Sequence, residues 1–387
     1  MKRIHSIDVT RGIVMVIMAL DHVRDLMHVD SIAQSPTNLD TTTPLLFFTR
    51  WITYLCAPAF VFLAGTSVYI SLKKTNNIAG MRNFLIKRGC YLIALEFLIV
   101  NLFLFFDPGY HTLLFEVIAA IGVGFIILGL LLRASALSIG LMGLIILFGH
   151  NLFSLISFAE NSVAKTLLTP LFNPTAIPIS PARVFVMAYP PIPWLGVMLL
   201  GFASGKFFEM AEEKRTSLFI KIGGGAILLF AGLRFVNAYG DPAPWASQKT
   251  HVFSFLSFMN VTKYAPSLLF CLVTLGVLFL MLALTERAKN RFSQIIAVYG
   301  KVPFFYFLIH FLFIHLLLLG LLLGQGFSWE QMAFASGTFG RPVRVESGVA
   351  LWAIYLIWIA VVAILYKPCL WYGRYKSTRS HWWLKYL

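Results

Sequence analysis

Charge and cysteine are scarce in this sequence, and each scarcity closes off a class of protein. Only 12% of the 387 residues are charged, with 16 acidic side chains against 31 basic ones. That is too little polar surface for a soluble body of this length. Four cysteines, Cys56, Cys90, Cys271 and Cys369, have no metal-ligand spacing and fall in or beside apolar runs. They read as free, buried thiols with no disulfide role, and no metal is expected. Also missing are a Gly-rich loop ending in Lys-Ser/Thr, a His-Glu-x-x-His pair and a Gly-x-Ser-x-Gly turn. ATP-driven transport and metal-dependent hydrolysis thereby lose their sequence support.

What the chain has in quantity is hydrocarbon: 59% hydrophobic residues, 15% aromatic residues and a mean hydropathy of +0.80. Its apolar runs repeatedly exceed the length needed to cross a bilayer. The pattern predicts an all-α, polytopic integral membrane helical bundle of about ten transmembrane helices, forming one integral domain over residues 1–387. The expected spans are 11–28, 45–71, 84–106, 111–132, 135–157, 184–208, 217–238, 264–285, 301–324 and 347–367. The basic N-terminus runs straight into a full-length span without a small-residue cleavage site, so the first span is expected to be retained. Twenty-two of the 31 basic residues fall on the side shared by both termini, which predicts that both are cytoplasmic. The net charge of +15 is then a topology signal with attraction to membrane lipids, and no nucleic acid is implied.

The first span carries the most chemistry. Arg11 and His22 are eleven residues apart on one continuous helix, about three turns, so they share a face roughly 16 Å apart along the axis. Ser6 reads as an N-cap with Asp8 in the first turn. Arg11 is either a topology-setting cation there or an inward-facing phosphate ligand, because guanidinium grips phosphate oxygens in pairs. Asp21-His22-Val23-Arg24-Asp25, followed by His28, puts several ionisable groups at membrane depth, where such groups are costly and mark functional sites. An imidazole oriented by Asp25 or Asp21 can accept a proton from an amine or hydroxyl. The plainer reading is a helix exit with hydrogen-bonded polar residues.

Later spans add weaker signals. Pro58 is expected to kink the second span, with Ala64, Gly65 and Ser67 permitting close helix approach. In the sixth, Tyr189-Pro190-Pro191-Ile192-Pro193-Trp194-Leu195-Gly196 predicts irregular backbone lining a cavity, before Gly201 and Gly205. Tyr306 and His310, at i,i+4, are candidate cavity residues. Lys263, at the outer start of the eighth span, either meets a substrate anion or snorkels to the interface. Arg24, His28, Trp194, Tyr306, His310 and Lys263 together form the candidate acceptor-binding set. Glu96, Asn101, Glu116, His150 and Asn151 read as structural hydrogen-bonding positions.

The opening Arg3-x-x-Ser6-Ile7-Asp8-x-x-Arg11-Gly12, followed by an apolar helix to Asp21-His22, resembles the start of the heparan-alpha-glucosaminide N-acetyltransferase catalytic domain and its bacterial relatives. The Pro-Pro-Ile-Pro-Trp-Leu-Gly stretch, Gly300-Lys301-Val302-Pro303-Phe304-Phe305-Tyr306 and Tyr366-Lys367-Pro368-Cys369-Leu370-Trp371-Tyr372 extend the likeness over essentially the whole chain. The Arg11 to His22 spacing is similar to that of the membrane acyltransferase-3 family. The resemblance implies transfer of an acetyl group from cytoplasmic acetyl-CoA to an extracytoplasmic glycan or other hydroxyl or amine acceptor, in a bacterial inner membrane, with self-association of the chain left open. By the same resemblance Arg11 lies near the CoA phosphates, helped by Lys73, Lys74 or Lys301. His22 is then the base, oriented by Asp25 or Asp21. The competing class is a transporter or flippase that uses the same polar cluster for a small polar or glycan-linked solute.

Overall fold

The computed structural model describes residues 4–160 and 162–386. The chain is dominated by helices: α1 (His5–Met27), α2 (Pro44–Thr53), α3 (Cys56–Thr75), α4 (Ile78–Leu95), α5 (Asn101–Phe105), α6 (Val117–Leu131), α7 (Ala136–Gly149), α8 (Val163–Phe172), α9 (Pro191–Ser204), α10 (Glu212–Val236), α11 (His251–Met259), α12 (Leu268–Thr285), α13 (Arg291–Lys301), α14 (Pro303–Gly324) and α15 (Leu351–Thr378). Among the described residues, eight helical stretches are long and apolar enough to cross a membrane: Pro44–Thr75, Ile78–Phe105, Ala136–Leu155, Pro191–Glu209, Glu212–Val236, Leu268–Thr285, Pro303–Gly324 and Leu351–Thr378. Two further expected spans are present as helices of a different kind. The 23-residue α1 carries charged groups, and the apolar α6 has only 15 residues. Side chains such as Ile145, Leu228 and Leu356 point outward from the bundle, as suits a protein solvated by lipid.

Local chemistry corrects several expectations. The second span is interrupted at Tyr54 and Leu55, so Pro58 lies in the first turn of α3, where a missing N–H costs nothing. The break therefore precedes the proline. The proline cluster behaves similarly: Pro190 caps α9, and Pro191 and Pro193 occupy its first turn. An ordinary helix start replaces the expected irregular backbone, while Tyr189 just before it does line a cavity. Helix α1 begins at His5, so Ser6 is inside it and donates to Glu286 Oε1 at 2.8 Å instead of capping. Asp8 does lie in the first turn.

The fold is an all-α bundle, and among the described residues it also carries three short strands, β1 (Thr112–Phe115), β2 (Thr175–Ser180) and β3 (Arg183–Met187). They form a sheet in the order β1-β3-β2, with β1 parallel and β2 antiparallel to β3. Alternating β-branched and aromatic residues in Val184-Phe185-Val186 favour the pleat. Asn101 ties this sheet to the bundle: its Oδ1 accepts from Leu114 N at 2.6 Å and its Nδ2 donates to Leu114 O at 2.9 Å. Glu96 Oε2 accepts from Ala119 N at 2.9 Å in the first turn of α6. Between Glu96 and Asn101 the backbone widens to a π-helical turn.

The charged α1 packs against α2, α3, α12, α13, α14 and α15. Its crossing with α13 is backbone against backbone. A Cβ on Gly12 would fall on the Ile296 carbonyl, and one on Gly300 on the Asp8 carbonyl. Helices α3 and α9 meet in the same way at Gly65 and Gly201, the close approach expected of small residues. At its other end α1 is held by His28, whose backbone bridges to Val349, and by Arg341, which donates to the carbonyls of His28 and Val29. Arg11 and His22 thus sit on a rail fixed at both ends.

Candidate active site

Arg11 and His22 each wall a cavity along that rail. The first, about 370 Å³, is walled by Arg11 and Met15 of α1, Ala64, Ser67 and Ser71 of α3, Phe84 and Arg88 of α4, Ile121 and Phe125 of α6, and Pro303 and Phe304 of α14. Arg11 Nη2 donates to the Leu63 carbonyl at 2.7 Å and to the Ser67 hydroxyl. Arg88 adds a second guanidinium, placed between the rings of Phe84 and Phe125 at 5.8 and 5.7 Å. Among the described residues it has no ion-pair partner. Two cations and two hydroxyls therefore face one largely apolar cavity.

The second cavity, about 340 Å³, is walled by Asp21, His22 and Asp25 of α1, Cys56 and Ala57 of α3, Leu114 of β1, Val186 of β3, Phe311 of α14, and Glu116, Tyr189, Lys263 and Tyr264. Phe60, Val117 and Phe307 line both cavities. Helices α1, α3, α6 and α14 each contribute to both, so the two spaces share one thin apolar wall.

His22 is held from one side. Its Nδ1 lies 2.6 Å from His310 Nε2, and His310 Nδ1 lies 3.0 Å from the Tyr306 carbonyl. The carbonyl can only accept, so His310 Nδ1 carries its proton and the neutral ring's Nε2 is bare. His22 Nδ1 must then be the donor to it. That leaves the lone pair of His22 on Nε2, which makes no hydrogen bond among the described residues. The ring packs against both His310 and Phe311, with centroids 4.9 and 4.2 Å away, and those two rings touch each other at 4.6 Å. A relay of fixed tautomers thus presents a base at the chamber wall.

The carboxylates expected to orient His22 are otherwise engaged. Asp21 accepts from Arg24 Nη2 at 2.7 Å, Arg50 Nη1 at 2.6 Å and Thr53 Oγ1 at 2.8 Å. Asp25 pairs with Arg24 at 2.7 Å and lies 3.9 Å from Arg50. Two carboxylates and two guanidiniums neutralise one another, which explains how a helix at membrane depth tolerates so many charges.

A family model described as heparan-alpha-glucosaminide N-acetyltransferase, catalytic, matches residues 3–234. The chain belongs to that family. It is accordingly a membrane transferase of the acyltransferase type. Among curated proteins, none matches it. The family match spans α1 to α10 and includes Arg11, Arg88, Glu116 and His22, while Lys263 and His310 come from the remainder of the chain.

Within this family member the sequence-derived candidates fall into four groups. His22, Asp21, Asp25 and Lys263 line the second cavity and Arg11 the first. Tyr306 and Trp194 stand behind the walls: Tyr306 stacks on His310 at 5.3 Å and Trp194 packs at 4.9 Å against Tyr189. Arg24 and His28 border a small crevice elsewhere, with Arg24 only 1% exposed and locked to its carboxylates. Lys73, Lys74 and Lys301 are exposed and outside the walls of the first cavity, and Lys73 pairs with Glu209 at 3.2 Å. The basic residue that does line this cavity, Arg88, was hidden in the sequence among Arg82, Lys87 and other loop cations. Glu116, read as structural, lines the chamber. His310 was read as an acceptor contact, and nothing local in sequence couples it to a residue 288 positions earlier.

Proposed function

We propose that the chain transfers an acetyl group from acetyl-CoA, taken up in the Arg11 cavity, to a hydroxyl or amine of an extracytoplasmic acceptor such as a glycan in the His22 chamber. The observation that carries this reading is the pair of cavities back to back along α1, one cationic and one containing a base. Acetyl-CoA supplies an activated thioester acyl group on a long arm ending in phosphates. Arg11 and Arg88, with Ser67 and Ser71, offer the charge and hydroxyls such phosphates require. About 16 Å of α1 separates Arg11 from His22, a length comparable to such an arm. His22 Nε2 takes the proton of the acceptor nucleophile, and His310 keeps the ring in the tautomer that can do so. The apolar wall of Phe60, Val117 and Phe307 keeps the two solvent spaces apart.

Calorimetric titration of the purified protein in nanodiscs with acetyl-CoA tests the reading. Saturable binding is expected, weakened roughly tenfold or more in Arg11→Ala by loss of a charge-assisted contact and preserved in His22→Ala. Folded wild-type protein that binds no acetyl-CoA would favour a solute transporter instead.

A further inference from the structure

The His22 chamber opens beside a second, more polar vestibule of about 340 Å³ lined by Asp25, Ser35, Thr37, Arg50, Asn260 and Thr262. Asp25, Lys263 and Tyr264 line both spaces. The segment that carries Lys263 is rigidly built. Arg234, 1% exposed, donates to the carbonyls of Ser257, Phe258 and Asn260. Asp241 accepts from Thr262 N at 2.8 Å, Thr262 Oγ1 at 2.9 Å and Ser267 Oγ at 2.6 Å.

On this scaffold Lys263 is 8% exposed, yet among the described residues its ammonium has no hydrogen bond and no ion pair. Its one close contact is the ring of Tyr264, 5.0 Å away. Asp21 and Glu116 feel its charge, yet neither pairs with it directly. Asp21 and Asp25 are committed to Arg24 and Arg50, His22 is tied to His310, and Glu116 lies beyond ion-pair distance. The ammonium faces the junction of the two spaces, and at this depth a head group without a direct partner is one that a ligand can complete. An interface lysine would instead extend its head to water.

We propose that the acceptor carries an anionic group, phosphate or carboxylate, which Lys263 binds at the junction of vestibule and chamber while the acceptor's hydroxyl or amine reaches His22. This deepens the acyltransferase reading and rests on it for the role of His22. Tyr264 gives the ammonium an aromatic face, and Arg234 and Asp241 fix the height at which the anion is met. Lys263 thereby selects acceptors by charge and holds the nucleophile in register with the base.

The test is equilibrium binding of radiolabelled inorganic phosphate to the full-length protein in phosphatidylcholine nanodiscs, with wild type, Lys263→Met, Lys263→Gln and Lys263→Arg. Saturable wild-type binding is expected, roughly tenfold or more weaker in the Met and Gln variants and regained in the Arg variant. In phosphate-free buffer Lys263→Met should unfold at a midpoint no lower than wild type, because the ammonium removed makes no hydrogen bond or ion pair among the described residues. Binding that is absent in wild type, or equal in all four proteins, overturns the proposal, as does a lowered midpoint of the Met variant. Discs containing phosphatidylglycerol separate the two sources of such a group: a lipid-borne anion displaces the labelled phosphate, whereas a site for a soluble acceptor stays available. Acetyl-CoA titration of the same discs keeps the two ideas distinct. Donor binding without Lys263-dependent phosphate binding sinks the anion site alone, and the reverse sinks the acyltransferase reading alone.

Discussion

His22 would be an unremarked polar residue without its partner ring. Being a base requires a lone pair aimed at the substrate, and the tautomer that provides it is set by His310 and, behind that, by the Tyr306 carbonyl. His310 is 0% exposed and lines neither cavity, so it is a positioning residue and not a catalytic one. Replacing it with Phe removes the acceptor for His22 Nδ1–H and frees the ring to adopt either tautomer. The expected outcome is a kcat roughly 100-fold or more lower, with an altered pH–rate profile and an unchanged KM for the acyl donor. His310→Gln, whose amide oxygen can still accept, should recover part of the loss. A His310→Phe protein with wild-type turnover would remove His310 from the mechanism. The sequence placed Arg11 and His22 on one face of one helix because helical periodicity is local information. The ring that fixes the tautomer arrives from α14, and no spacing within α1 announces it.

The elements that were legible were those whose signal is length and periodicity. The long apolar runs became helices, and α1 is continuous from His5 to Met27 as expected. What misled was chemistry with more than one structural solution. Prolines at 190, 191 and 193 can break a helix or begin one, and here they begin it. An apolar, β-branched run such as Val184-Phe185-Val186 suits a strand as well as the edge of a span, and the strand wins because β1 and β2 pair with it on its two sides. The crossing of α1 and α13 makes a prediction at this scale. Gly300→Val would place side-chain atoms on the Asp8 carbonyl, so the two helices must separate. A destabilisation of about 1–3 kcal/mol is expected from overpacking, read by unfolding in detergent. Weaker acetyl-CoA binding should accompany it, because Arg11 is one turn from the contact. A stable variant with full donor affinity would show that the α1 register does not depend on this contact.

Across the whole molecule, four helices each wall both a cationic cavity and a chamber containing a base, with Phe60, Val117 and Phe307 lining both. A solute carrier would have to open that wall wide enough for its cargo. An acyltransferase needs only a slender reactive group to meet a nucleophile there. The two readings differ in what crosses and in what is released. The decisive measurement is made in sealed proteoliposomes, with acetyl-labelled acetyl-CoA on one face and a mixture of amino sugars and oligosaccharides on the other. The expected result is labelled acetyl product on the far face with equal release of CoA thiol on the near face, both lost in His22→Gln. Label crossing without thiol release, or transfer undiminished in His22→Gln, would contradict it.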